Sequence, residues 1–153
     1  MNLRLIYVGK TRTPYVASAC ADFGKRLAPY FPLEEIEVRA ADGSAPASAM
    51  REEAERIARH LRPDDGVWLL DRTGVELSSP ELSTRIGDVA NSGATRLTLV
   101  VAGTYGAEAS LLARATFRWS LSKLTFLHEW ARAFVLEQLY RAAKIARNEP
   151  YHH

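Results

Sequence analysis

Five short apolar runs, each followed by an amphipathic stretch of helical period, recur along the 153 residues, and this alternation constrains the fold more than any other feature. The runs at 3–9 ("LRLIYVG"), 33–40 ("LEEIEVRA"), 66–71 ("GVWLLD"), 96–103 ("RLTLVVAG") and 124–127 ("LTFL") read as strands. The stretches at 14–30, 44–61, 78–93, 106–115 and 129–147 read as helices. Thr13-Pro14 marks the first helix start, with Thr as cap and Pro at the first helical position; Ser79 is expected to cap the third, with Pro80 inside it. Strands joined through helices predict a parallel α/β sheet, in one domain, with helices on both faces. The third and fourth runs are continuously apolar, as strands covered on both faces are. No linker, internal repeat or low-complexity segment interrupts the pattern.

In such a sheet, ligands bind where strands end and loops turn outward. A dinucleotide fingerprint GxGxxG would follow the first strand, where this chain has "VGKTRTPY"; a phosphate-binding GxxxxGK[ST] is also absent. The glycine-bearing turn comes late, as Ala102-Gly103-Thr104-Tyr105-Gly106, and by itself fits a tight turn as well as a ligand loop. Two more loops, 70–74 ("LDRTG", with Leu70 at its head) and 121–127, belong to neighbouring strand ends.

Charge and cysteine usage narrow the setting. Residues 1–110 carry 13 Lys and Arg against 15 Asp and Glu, whereas the last 43 carry seven bases against three acids. This surplus is either a solvated helix face or a surface for a polyanion such as nucleic acid. A single cysteine, Cys20, excludes an internal disulfide framework and fits packing in an apolar helix face. The apolar run after Met1 is too short for a signal peptide and no stretch approaches a membrane span, so a cytoplasmic location is expected. No metal-ligand spacing is evident among Asp71, His128 and His152.

The motifs "LLDRTG…SSPELS", "LVVAGTYG" and "WSLSKLTFLHEWARAFVLEQLYRAAKIARNEPYH", in this order, resemble the SPOUT superfamily of methyltransferases, and within it the ribosomal RNA large subunit methyltransferase H family. The resemblance covers essentially the whole chain and is densest from Leu69 onward. It implies a trefoil knot near the C-terminus, a homodimer, and S-adenosylmethionine held in a bent shape by the knotted loops. It also implies an activity: methylation of N3 of a pseudouridine in large-subunit rRNA, with the assembled ribosome setting specificity. Carried over by motif, the cofactor would touch Leu70, Ala102 and Gly103, and Leu121, Ser122, Lys123, Leu124, Thr125, Phe126 and Leu127. The family usually has Gly-Gly-x-x-Gly at the turn and often Pro before the His at position 128; this chain has Ala102 and Leu127 there.

The resemblance also gives the closing "NEPYHH" a role, as part of the site lying against the partner subunit. Pseudouridine N3 lies between two carbonyls and carries a weakly acidic proton. His152 titrates in the right range to accept or share it, Tyr151 can position the base, and Arg132 can meet a phosphate or carbonyl. Plainer readings stand beside these. The final His pair could be a frayed end or the remnant of a purification tag. Arg132 could be an exposed helix charge partnered by Glu129. His128 could cap or pack, Lys123 could face solvent, and His60, beside Arg59 and Arg62, could serve a helix terminus. Trp130, Phe134 and Tyr140 recur at helical spacing and fit core or dimer interface better than base stacking. Two other functions remain open: a binding protein of the same fold without turnover, and an unrelated nucleotide-binding α/β domain.

Overall fold

The computed structural model describes residues 1–43 and 45–151. Its elements alternate strictly: β1 (Asn2–Val8), α1 (Pro14–Leu27), β2 (Leu33–Val38), α2 (Pro46–Ala58), β3 (Gly66–Glu76), α3 (Ser79–Asn91), β4 (Arg96–Val101), α4 (Ala109–Arg114), β5 (Phe117–Ser120) and α5 (His128–Ala146). The five strands form one sheet in the order β2-β1-β4-β3-β5, every pairing parallel. This is the parallel α/β architecture that the alternation predicts.

Each strand's two-residue period divides its side chains between two layers. Leu3, Leu5, Tyr7, Leu97 and Leu99 face α1, α3 and α5, where Val16, Cys20, Ile86, Leu136 and Leu139 complete the larger core. Ile6, Val8, Val67, Leu69 and Val100 face the other way and pack against Ala54 and Ile57 of α2 and Leu111 of α4. Leu5, Leu69, Leu97 and Leu99 are fully buried, and removing each such side chain from water contributes about 1.5–3 kcal/mol.

Two elements of the sequence reading differ from the structure. The last strand is Phe117–Ser120, not 124–127: Phe117 and Trp119 alternate with Arg118, and Trp119 pairs into β3, while Leu124 and Leu127 are exposed in a loop. The cap of α3 is Ser78 rather than Ser79, its hydroxyl accepting from the Glu81 N–H while the Glu81 carboxylate accepts from Ser78, a capping box. Thr13 does cap α1, but its side chain makes no capping bond.

The third strand is also longer than expected and breaks step in the middle. Leu70 and Val75 both lie opposite Trp119, so 71–74 form an excursion from the ladder. Gly74 permits it, because a Cβ there would lie 2.5 Å from the Arg118 carbonyl oxygen. Asp71 ties the excursion down: its carboxylate accepts from the Thr73 N–H at 3.0 Å and from Arg118 Nε at 2.8 Å.

Candidate cofactor and RNA site

The β3 excursion, the glycine turn after β4, loop 121–127 and the first turn of α5 enclose a cavity of about 600 Å³, within the range of small-molecule sites. It lies at the carboxyl ends of the strands, where parallel sheets bind ligands. Of the residues assigned to the cofactor by resemblance, Leu70, Ala102, Gly103, Leu121, Ser122, Leu124, Thr125 and Phe126 line it. Lys123 and Leu127 lie in the same loop outside the lining. The cavity also draws in residues that sequence reasoning missed: Asp71, Arg72, Thr73, Tyr105, Arg118, Trp119 and, at the start of α5, His128. All but Arg118 lie inside the quoted motifs, and that membership was their only signal.

The glycine turn is held from beneath by α2. Glu53 is 7% exposed, and its carboxylate accepts the Ala41 N–H at 3.0 Å. A Cβ on Gly103 would collide with Glu53 Oε2 and lie 3.0 Å from its Cδ, so residue 103 must lack a side chain for the turn to rest on the acid. Ala102 lines the cavity without that constraint.

Electrostatics at the mouth are settled by pairing. Burial by itself raises the Asp71 carboxyl, but hydrogen bonds from the Thr73 amide and the Arg118 guanidinium outweigh it and hold the group below the usual carboxylate range. Glu129, in the first turn of α5, accepts the backbone N–H groups of Arg12 at 2.9 Å and Thr13 at 3.2 Å. Those bonds lower its pKa and seat loop 9–13 against the cavity wall; a Cβ on Gly9 would be 3.7 Å from His128 Nε2.

Arg132 is therefore not paired with Glu129. Its Nε and Nη2 reach Glu35 Oε2 at 3.0 and 2.8 Å, its Nη1 reaches the Thr11 hydroxyl at 2.9 Å, and its guanidinium lies 4.0 Å over the Tyr7 ring. The rest of the C-terminal charge surplus is similarly engaged. Arg114 donates to the carbonyls of Arg62, Pro63 and Asp65, Arg118 to Asp71, Arg141 to Glu137 and Lys144 to Glu149, and Arg147 lies over Tyr30. Lys123 alone among the seven has no such partner among the described residues.

Tyr151 folds back onto its own helix. Its hydroxyl donates to Glu137 Oε1 at 2.8 Å, its ring meets Tyr140 edge to face at 5.0 Å, and Arg141 lies 4.1 Å over it. Burial, with help from the Glu137 carboxylate, pushes the phenol up to about 12. Glu137 is about 13 Å along the helix from His128, so Tyr151 stands away from its own chain's cavity. His152 and His153 lie outside the described residues. Between these two regions runs an aromatic stripe in which Phe134 of α5 and Phe126 of the preceding loop are exposed and Trp130 is half-buried. Trp130 stacks on Phe134 at 5.6 Å, Phe134 meets Phe126 at 5.3 Å, and Tyr15 meets Trp130 at 5.9 Å. Tyr140, half-buried like Trp130, packs against Phe23 and Tyr30. Among the described residues no helix is long and apolar enough to cross a membrane.

A parallel sheet whose late loops gather into one cavity at its carboxyl edge fits a methyltransferase of the SPOUT type, and the chain belongs to that family: the model described as "Predicted SPOUT methyltransferase" matches residues 1–152. At 42% identity over 153 residues, covering the whole of both chains, it is similar to the ribosomal RNA large subunit methyltransferase H of Pelobacter propionicus. The protein of that name from Bifidobacterium adolescentis is 39% identical over 160 residues, covering 99% of each. Among solved structures, the tRNA (m1G37) methyltransferase of Aquifex aeolicus superposes with a TM-score of 0.55 over all of this chain and 75% of its own, at 13% identity, a likeness of fold alone.

Proposed function

We propose that this protein uses S-adenosylmethionine to methylate N3 of a pseudouridine in large-subunit rRNA, on the assembled ribosome, as a homodimer. The observation that carries the reading is the gathering of Leu70, the Ala102-Gly103 turn and residues 121–126 around one cavity in a chain alike end to end to relatives named for rRNA large subunit methylation. The knot that the resemblance implies belongs to the same reading.

The cavity suits the cofactor. A turn free of a side chain at Gly103 offers backbone groups at close range, Leu70, Leu121 and Leu124 offer apolar walls, and Thr104, Ser122 and Thr125 offer hydroxyls. When bound, S-adenosylmethionine supplies a methyl group made electrophilic by its sulfonium. The residues have two tasks: to hold the target base in line with that methyl, and to take up the N3 proton. His152 is assigned the proton and Tyr151 the placement of the base. With its phenol raised, Tyr151 remains protonated near neutral pH and acts as a hydrogen-bonding and stacking group, not as a base. Because Tyr151 stands about 13 Å along α5 from its own cavity, the tail would complete the cavity of a second copy. The exposed rings of Phe126 and Phe134, joined through the half-buried Trp130, support such a dimer. Arg132 would have to release Glu35 to meet a phosphate or carbonyl.

The test is to incubate the purified protein with methyl-labelled S-adenosylmethionine and ribosomes from cells lacking the endogenous enzyme, then map the label by nuclease digestion and mass spectrometry. Label at N3 of one large-subunit pseudouridine is expected, abolished by His152→Ala. Cofactor binding without label would redirect the reading to another RNA or to a binding protein without turnover.

A further inference from the structure

With the C-terminal bases other than Lys123 engaged inside the fold, the remaining cations near the cavity come from earlier loops. Lys10 and Arg12 lie in the loop after β1, Arg72 in the β3 excursion, and Lys123 between the lining residues Ser122 and Leu124. All four are exposed, and among the described residues none of their side chains makes a hydrogen bond or ion pair. Their placement around one mouth follows from contacts already given. Glu129 binds the Arg12 amide, Gly9 abuts His128, Arg72 lines the cavity, and loop 121–127 forms its far wall.

The acids nearby do not cancel this charge. Glu129 is taken up by two backbone amides, Asp71 by Arg118 and Thr73, Glu35 by Arg132, and Asp42, which acts electrostatically on Arg12's side, by Arg39 at 2.7 Å. Amid the four bases stands an aromatic side chain with no ring partner among the described residues. Tyr105 lies at the glycine turn, lines the cavity, and is 53% exposed. Bases spaced over three loops, with an open aromatic face between them, match a single-stranded nucleic acid better than a compact anion, which needs convergent donors.

We propose that Lys10, Arg12, Arg72 and Lys123 grip the RNA backbone on either side of the target nucleotide while Tyr105 stacks on a base at the cavity mouth. The proposal rests on the rRNA reading above and puts the RNA-binding surface on the loops at the carboxyl edge of the sheet rather than on the basic C-terminal helix, whose charge surplus left a polyanion surface open as one of two readings.

The experiment measures binding to large ribosomal subunits lacking the modification, across about 50–200 mM salt, for the wild type and four variants. Lys10→Ala/Arg12→Ala lies off the cavity lining, so it retains cofactor affinity. It should flatten the slope of log K against log salt by about 1.5, and the quadruple Ala variant should flatten it by about 3, since each phosphate no longer neutralised removes roughly 0.7–0.9 from the slope. Lys25→Ala/Arg59→Ala, removing exposed bases from the opposite edge of the sheet, should leave the slope unchanged. Tyr105→Ala should weaken binding roughly tenfold at every salt concentration with no change of slope, since stacking releases no counterions. A full wild-type slope in the Lys10/Arg12 pair, or an equal loss in the Lys25/Arg59 pair, overturns the proposal. A wild type with neither salt-dependent affinity nor methyl label on these subunits overturns instead the rRNA reading beneath it.

Discussion

Gly103 and Glu53 make a tight demand at the cavity. Any side chain at 103 must displace a buried carboxylate that is itself fixed to the Ala41 amide. Gly103→Ala should therefore lower stability by about 1–3 kcal/mol through overpacking and weaken S-adenosylmethionine binding at least tenfold, read by thermal melting and calorimetry. Adding Glu53→Ala should recover part of the cofactor affinity; a double variant no better than the single would show that the collision is not the cause. Tyr151 carries a prediction in pH. Its phenol is raised to about 12 from an ordinary 10, so the folded chain holds that proton more tightly than the unfolded chain does. The resulting stability is complete below pH 10 and is lost as pH rises toward 12. Comparing urea unfolding of the wild type and Tyr151→Phe at pH 9 and about 11.5 should show the advantage of the wild type shrinking with pH.

At the scale of elements, the capping box explains how α3 starts where it does. Ser78→Ala should cost about 1 kcal/mol through loss of the cap, measured by chemical denaturation, whereas Ser79→Ala keeps the cap and loses only its bond to Gln138 Oε1. The strand–helix order and the buried character of β3 and β4 were legible in the sequence, because their continuous apolar runs have no other use in a small α/β domain. Two adjacent serines before a proline left the cap ambiguous by one residue, since either hydroxyl can serve. The fifth strand was missed for a more instructive reason. Apolar density makes "LTFL" read as a strand, yet Leu127 is 74% exposed; "FRWS", with its charged second residue, is the true alternation. Apolar residues kept outside by a fold are the ones composition misplaces. Likewise, counting seven bases in the last third could not show that several of them were answered by acids or carbonyls from distant parts of the chain, as Arg132 is by Glu35 and Arg114 by the 62–65 loop.

Taken whole, the protein exposes apolar surface along one side of α5 and in the loop before it. Phe134 stands at the centre of that surface, between Phe126 and Trp130. If two copies meet there, Phe134→Asp should give a monomer by sedimentation that still binds S-adenosylmethionine but has lost most methyl transfer, because the tail no longer reaches a second cavity. A dimer that survives the substitution would place the interface elsewhere. The motif residues of the cavity could be named in advance because the resemblance supplied them. The loop 9–13 and the Asp71–Arg118 pair could not, since their nearness depends on pairings across 47 to 117 residues of chain.

The sheet order has a consequence for how the chain is made. β4 sits between β1 and β3, both of which precede it, and β3's other neighbour is β5. A growing polypeptide can therefore pair β1 with β2 early, but β3 has no place in the sheet until Arg96–Val101 has been synthesised. Until then the apolar stretch around Val67 to Leu69 waits with both backbone edges open, the state in which strands are most exposed to association with other chains. Synthesis of one short central strand then joins β1 to β3, and the other edge of β3 stays open until Phe117–Ser120 follows.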